Sequence, residues 1–542
     1  MTLGAFLDRQ AARFAERPAV VSGTTRWSYA ELAREVWALQ WALMELGLGP
    51  GERVAIWLSS LPEWIVYLFA TTRLGAIPVP INTRFGSHEL GYIIAHSESA
   101  VLMSMGRYLD RDYGAILAEA AGALPGSTAR AGKLPTLRRV IGIRGLTGPG
   151  VIDGAELRVR GFRQLARAGS PPPAVGDPED IAILFYTSGT TAFPKGVPLT
   201  HRNLLPHAIG CGTLLGLRPE DRVLSLYPFF GISGGTNKIL STLAGGAALV
   251  FPDAFRPEEA YDLLENEECT VVHAVDVQVR EMIRVARARG RGTAPARRGT
   301  IGFMTGPDAA LAHEMGEALG LRRFVHGYGM TEVNPMVLRN ALDDPFDVCL
   351  RPGGRIAPGV EVIVVDPETR QRLAADEPGE LMVRGETVMG GYYRDPEATA
   401  EAFDTDGWFR TGDLGVRLGD GFIFYLGRLK DTIKTGGFNV SPQEIETFLR
   451  THPAVEDVGA TSAPDPRLGE IVVAFVKRRS GSEIAAADLH EFSRGRIANF
   501  KTPRWIRFVE ELPYRVGPHG SKLRREVLRE WAKSGEDACN SM

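Results

Sequence analysis

The stretch YTSGTTAFPKGVPLTHRN, Tyr186 to Asn203, follows the apolar run IAILF and decides how the rest of the chain is read. Five of the six side chains from Tyr186 to Thr191 carry a hydroxyl, and the single cation Lys195 comes next. A short buried strand running into a Gly/Ser/Thr loop offers backbone N–H groups and hydroxyls that can wrap an anion, and a lysine adds a mobile point charge. That combination points to phosphate. The spacing is not that of the P-loop, G-x-x-x-x-G-K-S/T, because Lys195 stands between Pro194 and Gly196. No G-x-G-x-x-G follows the strand either, so a dinucleotide fingerprint is excluded.

Upstream, WSYAELAREVWALQWALMELGLGPGERVAIWL (Trp27 to Leu58) reads as a Ser28-capped helix, a Gly-Pro-Gly turn and an apolar strand. PEWIVYLFATTRLGAIPVPIN (Pro62 to Asn82) repeats the order, which signals parallel strands covered by helices. Gly122 to Val175 has few long apolar runs and many Gly, Pro and Arg, and is expected to form loops and an edge hairpin. Downstream, HRNLLPHAIGCGTLLG reads as a helix, and DRVLSLYPFF and AALVFP as strands. From Gly353 short β-runs are separated by Gly, Pro and Asp turns. From about Leu429 the pattern becomes a small α+β unit. The expected fold is α/β: a large domain, residues 1–428, of parallel sheets covered by helices plus a β-rich subdomain, and a small mobile C-terminal α+β domain, residues 429–542.

Bulk properties narrow the function. The chain has 542 residues, 62 basic against 65 acidic, for a net charge of −3, which does not suit a nucleic-acid binder. The basic run RVARARGRGTAPARR (Arg284 to Arg298) reads as a helix C-terminus followed by a solvated loop. Cys211, Cys269, Cys349 and Cys539 have neither zinc nor disulfide spacing. The N-terminus reads as an amphipathic helix instead of a signal peptide, and no apolar run reaches the ~18–20 residues that span a bilayer. A cytoplasmic enzyme is expected.

YTSGTTAFPKG resembles the signature loop of the adenylate-forming superfamily: acyl-CoA synthetases, peptide-synthetase adenylation domains and firefly-type luciferases. Its companions follow in the family's order: GYGMTE (Gly327 to Glu332), TGDLG (Thr411 to Gly415), GRLKDTIKTGGFNVSPQEIE (Gly427 to Glu446) and the late Lys522 in GSKLRREVLRE. The resemblance implies that ATP and a carboxylic acid give an acyl-adenylate, which coenzyme A then captures. It places Thr187, Ser188, Gly189, Thr190, Thr191 and Lys195 around the phosphates, with Glu332 and Thr187 on Mg2+. Tyr328 and Gly306 fall at adenine, Thr331 at the α-phosphate, and Asp413, supported by Arg428, at the ribose hydroxyls. Lys522 is the implied catalytic cation, Lys430 the hinge, and Lys434, Gly436 and Gly437 the coenzyme A channel. The acid would lie against Gly231, Ser233, Asn237, Asp276, Met304 and Gly327, with Lys238 next in line.

Four stretches depart from the family's pattern. YPFFGISGGTNK has Gly231 where relatives often have His, which removes an aromatic gate. Asp276 stands where many relatives place Pro-Thr; it reads either as an ordinary helix N-cap or as a group facing a polar or amino-bearing substrate. Pro307 stiffens MTGPDAA. The loop before Lys522, LPYRVGPHGSKLRR, is longer and contains His519. These favour a compact, functionalised or aromatic acid over a long plain fatty acid. The competing reading keeps adenylation but changes the acceptor to a carrier-protein thiol, an amine, or nitrite activated to diazotise an aryl amine. Whether the chain acts as monomer or homodimer is left open by these motifs.

Overall fold

A computed structural model describes residues 1–122, 133–187, 194–290, 294–303, 306–435, 438–494, 496–497, 499–517 and 520–533, with side chains 438, 439, 516, 517 and 520–522 outside the description. Two parallel sheets form the body. One orders Ile77–Pro80, Arg53–Trp57, Ser99–Met105, Arg139–Ile143 and Val151–Asp153, all parallel. The other orders Arg323–Val325, Arg298–Gly302, Val271–Val275, Arg222–Ser225, Ala248–Val250 and Pro18–Ser22 in parallel, with Thr25–Ser28 antiparallel at the edge. Every residue of Ser99–Met105 is buried, as a strand covered on both faces requires. The helix Tyr29–Glu45 begins as expected at Ser28, whose hydroxyl accepts the Glu31 N–H while Glu31 accepts the Ser28 N–H.

A third, antiparallel sheet runs Gly327–Met330, Asn334–Arg339, Gly353–Ile356, Ile423–Arg428, Phe409–Arg417, Pro378–Gly385 and Val360–Val365. Beyond it, Phe438–Val440, Ile433–Thr435, Gly469–Arg478 and Val455–Asp465 form the C-terminal sheet, joined by Trp505–Phe508 in parallel. The expected class is observed: parallel sheets, a β-rich region and an α+β unit with its own apolar core, which includes Ile445, Leu449, Val458 and Val476. No helix among the described residues is long and apolar enough to cross a membrane.

Gly122 to Val175 is different from the expectation. Instead of an edge hairpin, Arg139–Ile143 and Val151–Asp153 extend the parallel sheet, and Gly154–Ala168 is a 15-residue helix. Its caps are legible: Asp153 accepts the Ala155 N–H, and Gly169 closes the helix at φ +68°. Its packing face is not. Gly161 presses so closely on the helix Tyr29–Glu45 that a Cβ would sit 2.0 Å from the Ala38 carbonyl oxygen. A backbone-to-backbone contact carries no hydrophobic signal. The Arg284–Arg298 run is in part as read: Asp276–Arg289 is a helix whose Arg284, Arg287 and Arg289 pair with Glu281, Glu314 and Asp262. Beyond residues 291–293, which lie outside the described residues, Ala294 and Ala296 are buried, and Arg298 begins a strand and pairs with Asp221 instead of lying in a solvated loop.

Candidate active site

The antiparallel register puts Asp413 directly opposite Arg428. The Asp413 carboxylate, only 1% exposed, lies 3.1 Å from Arg428 Nε and accepts the Tyr328 hydroxyl at 2.7 Å. Thr411 fixes the turn: its Oγ accepts the Asp413 N–H at 3.1 Å and its hydroxyl donates to the Leu381 carbonyl at 2.7 Å. Tyr328 stacks on Tyr425 with centroids 5.0 Å apart and planes at 28°. Burial, reinforced by the Asp413 charge, drives the Tyr328 phenol far above its ordinary range, so it stays a hydrogen-bond donor. This set offers a fixed carboxylate for vicinal hydroxyls beside an aromatic wall. No motif marked Tyr425; its role follows from strand pairing alone.

On the other side, Ile181–Thr187 and Lys195–Thr200 form a hairpin in which Thr187 pairs with Lys195. The Tyr393 N–H donates to the Gly196 carbonyl at 2.8 Å, tying this hairpin to the β-rich region. The neighbouring Tyr392 does two things: its ring lies 4.8 Å from Lys195 Nζ, and its hydroxyl donates to Glu332 Oε1 at 3.3 Å. Thr187 donates to the same oxygen at 3.5 Å. Glu332 sits in the 3₁₀ turn Thr331–Val333, with Thr331 beside it and both partly buried. Burial raises the Glu332 carboxyl above its usual range despite these hydroxyls. Among the described residues no cation forms an ion pair with Glu332. A carboxylate held by two neutral hydroxyls, with no cluster of three or more His, Cys, Asp or Glu among the described residues, fits a small hard cation that takes its remaining oxygens from phosphate and water.

Gly327, next to Tyr328 in the same strand, is exposed, and a Cβ there would meet the Leu338 carbonyl oxygen at 2.3 Å, so the position takes glycine only. Ser233–Lys238 is a π-helical turn. It is permitted by Gly234 and Gly235, where a Cβ would lie 2.3 Å and 1.9 Å from the Pro228 and Phe229 carbonyl oxygens. The turn follows Gly231 and buries Asn237 and Lys238, while Ser233 is partly exposed. Asp276 is the first residue of its helix, with Val275 at the N-cap position, and its carboxylate accepts the adjacent Val277 N–H at 2.8 Å. The side chain therefore does not make the expected N-cap bond.

The remaining expected positions are scattered. Gly306 has φ +97° and lies near Thr447 and Gln443 of the C-terminal helix Pro442–Arg450. Lys430 lies in a 3₁₀ turn whose carbonyl accepts Arg529 Nη2 at 3.3 Å, while Arg529 pairs with Asp431 at 3.0 Å. Lys434 is exposed, with Nζ 3.7 Å from Glu368. The Lys522 backbone pairs with Arg515 in the hairpin Tyr514–Gly517 and Gly520–Leu523. Its side chain lies outside the described residues, as do Ser188, Gly189, Thr190, Thr191, Met304, Gly436, Gly437 and His519.

Residues 7–393 match the family model described as AMP-binding enzyme, and residues 444–515 match the model for the AMP-binding enzyme C-terminal domain. A methyl-dioxo-octahydroindenyl propanoyl:CoA ligase of Mycobacterium tuberculosis is 33% identical over 98% of this chain and 98% of its own length. A feruloyl-CoA synthase of Amycolatopsis is 32% identical over 97% of this chain and 98% of its own. Among solved structures, ATP-bound MatB from Rhodopseudomonas palustris superposes with TM-score 0.81 at 29% identity, covering 98% of this chain and 99% of that one.

Proposed function

The chain belongs to the AMP-binding enzyme family, and from that premise we propose that it is an ATP-dependent, AMP-forming ligase that joins a carboxylic acid to the thiol of coenzyme A. The observation that carries this reading is the presence of two such sets, close enough that Arg428 and Glu332 feel each other's charge. Tyr328, Asp413 and Arg428 suit a nucleoside, and Glu332, Thr187 and Lys195 suit polyphosphate.

In the first half-reaction a carboxylate oxygen attacks the α-phosphorus. The bond to the bridging oxygen breaks, and its electron pair leaves with pyrophosphate. Asp413 accepts the ribose hydroxyls, with Arg428 paired to it from the neighbouring strand. Lys195 and Thr187, with Ser188, Gly189, Thr190 and Thr191, hold the leaving phosphates. Thr331 reaches the α-phosphate, and Gly306 borders the base. Glu332 and Thr187 would hold Mg2+, which supplies charge neutralisation across the phosphate oxygens. Lys522 stabilises the charge that gathers between acid and phosphorus. In the second half-reaction the thiol sulfur attacks the acyl carbon, AMP departs with the bonding pair, and the thiol proton passes to solvent.

Residues 1–428 and 429–542 act as two bodies that turn at Lys430, so that Lys522 and the Lys434–Gly436–Gly437 segment serve the site in succession. The anchoring of residues 430 and 431 on Arg529 of the last helix supports a boundary just before them. The acid is compact, functionalised or aromatic, a reading supported by the missing side chain at Gly231 and the buried amide of Asn237. A cytoplasmic location agrees with three buried free thiols, Cys211, Cys269 and Cys349.

The deciding experiment incubates the protein with ATP and a panel of acids, with and without coenzyme A, and reads products by mass. A thioester formed only with coenzyme A, together with AMP, is the expected result. AMP release with no thioester in any mixture refutes the acceptor.

A further inference from the structure

Behind the exposed Gly327 lies a buried polar cluster that the adenylation chemistry does not use. Arg339 stands opposite Gly327 in the strand register, and its Nη1 donates to Cys211 Sγ at 3.4 Å. Asn237 Nδ2 donates to the same sulfur at 3.4 Å, and His207 Nε2 lies 3.7 Å from it. Lys238, 2% exposed, has Nζ 3.1 Å from Asn237 Oδ1, 3.6 Å from Met336 Sδ and 5.8 Å from the Tyr227 ring centroid. No Asp or Glu among the described residues forms an ion pair with Lys238 or Arg339. Within the cluster, the side chain beside these cations that can become an anion is the Cys211 thiol. Burial raises that thiol, but His207, Lys238 and Arg339 more than offset this and hold it down to about 6. Burial likewise draws the Lys238 ammonium down to about 8, although the Cys211 thiol opposes that shift, so the cluster sets two basic side chains against one thiol.

The sheet adds more donors. Ser225, His273 and Thr300 occupy one register position on three adjacent parallel strands, so their side chains share a face. They are 2%, 0% and 4% exposed, and Ser225 Oγ, both His273 ring nitrogens and Thr300 Oγ1 have no hydrogen-bond partner among the described residues. Lys238 is close enough to His273 to help burial keep that imidazole neutral. An ammonium without a carboxylate, beside unpartnered hydroxyls and an imidazole, is costly to bury unless an acceptor arrives. The group that matches many donors and few acceptors is a carboxylate, which has acceptor sites only.

We propose that Lys238, with His273, Thr300 and Ser225, receives a second carboxylate at the far end of the acid, so that the preferred substrates are dicarboxylic acids. This rests on the adenylation reading and assigns its substrate class. Lys238 and its neighbours determine specificity; they do not take part in bond exchange.

The test measures kcat/KM for AMP formation with matched pairs: butanoate against butanedioate, hexanoate against hexanedioate, octanoate against octanedioate. In the intact protein at least one dicarboxylate exceeds its partner by more than about tenfold, since a site built for a polar group rejects the analogue lacking it. Lys238→Met lowers that ratio by about a hundredfold. Thr300→Val, nearly isosteric, lowers it by less. Thermal unfolding of Lys238→Met at or above the midpoint of the unaltered chain shows it folded, because an apolar chain of similar volume replaces an unmatched charge. Should that variant not fold, the acid ranking of the unaltered chain and Thr300→Val decide the matter. Turnover of the monocarboxylates with no preference for dicarboxylates, or a ratio unmoved by the variants, overturns this inference alone. AMP formation with no acid at all overturns the adenylation reading and this one with it.

Discussion

An Asp413→Asn variant removes one negative charge from the site while keeping the shape of the side chain. In the folded chain that carboxylate is 1% exposed, accepts the Tyr328 hydroxyl at 2.7 Å and lies 3.1 Å from Arg428 Nε. Two ribose hydroxyls added to it would be charge-assisted bonds of roughly 1.5–3 kcal/mol each. An amide keeps one acceptor oxygen and loses the charge, so about half of that sum, ~1.5–3 kcal/mol, is lost. This corresponds to a rise of roughly 10- to 150-fold in the KM for ATP. The cost to the fold is smaller, ~1 kcal/mol, because Arg428 is 40% exposed and solvent screens it. Ribose contacts are the same in the ground and transition states, so kcat stays within about threefold. The assay is steady-state pyrophosphate release against ATP at saturating acid, with thermal unfolding to verify folding. A KM within about threefold of the unaltered chain, in a folded variant, would falsify the ribose assignment. Tyr328→Phe removes only the 2.7 Å bond and should raise the same KM by about three- to tenfold.

Other perturbations read separate parts of the molecule. Burial holds the Glu332 carboxyl above its ordinary range, so the native state keeps this proton at a pH where the unfolded chain has lost it. This group's contribution therefore favours the fold at low pH and is lost as pH rises from the ordinary carboxylate range through the raised value. A divalent cation selects the carboxylate and reverses that loss. Mg2+ with ATP should raise the unfolding temperature more near neutral pH than at about pH 5, and Glu332→Gln should abolish the difference; an equal shift in both excludes Glu332 as a ligand. Lys522→Ala should slow acyl-adenylate formation by about a hundredfold or more while thioester formation from supplied acyl-adenylate persists; unimpaired pyrophosphate release refutes the catalytic assignment. Gly161→Ala should destabilise by ~2–3 kcal/mol, measured by urea unfolding, because the added methyl meets the Ala38 carbonyl; a midpoint unchanged from the unaltered chain contradicts the close contact. Asp276→Asn should alter the ranking of acids if the carboxylate faces substrate; an unchanged ranking leaves it a helix-terminal role, including its bond to the Val277 N–H.

Much of the nucleotide site is legible because each half of it lies on a contiguous stretch. Thr187 and Lys195 sit eight positions apart in one hairpin, and Asp413 and Arg428 face each other across two consecutive strands. Turn glycines, hydroxyls and single charges at those spacings have few other uses, so local chemistry identifies them. Tyr392 and Tyr425 carry no such signature. They matter only because tertiary contacts place them: the Tyr393–Gly196 backbone bond holds the loop that sets the Tyr392 ring by Lys195, and sheet pairing sets the Tyr425 ring against Tyr328. The helix Gly154–Ala168 escaped for a related reason: its decisive contact is the absence of a side chain at Gly161.

By itself the sequence determined the α/β class, the order of sheets and the phosphate-binding character of the site, because periodicity, caps and loop chemistry act over neighbouring residues. Only the tertiary structure brought together the cluster on which the proposed acid pocket rests. Cys211, Lys238, His273, Thr300 and Arg339 come from separate elements, and of these only Lys238 is marked in a linear reading, by its place after Asn237. Packing buries Lys238 away from water and, among the described residues, from any ion pair with a carboxylate, and it is that burial which sets it apart from an ordinary lysine after a glycine turn.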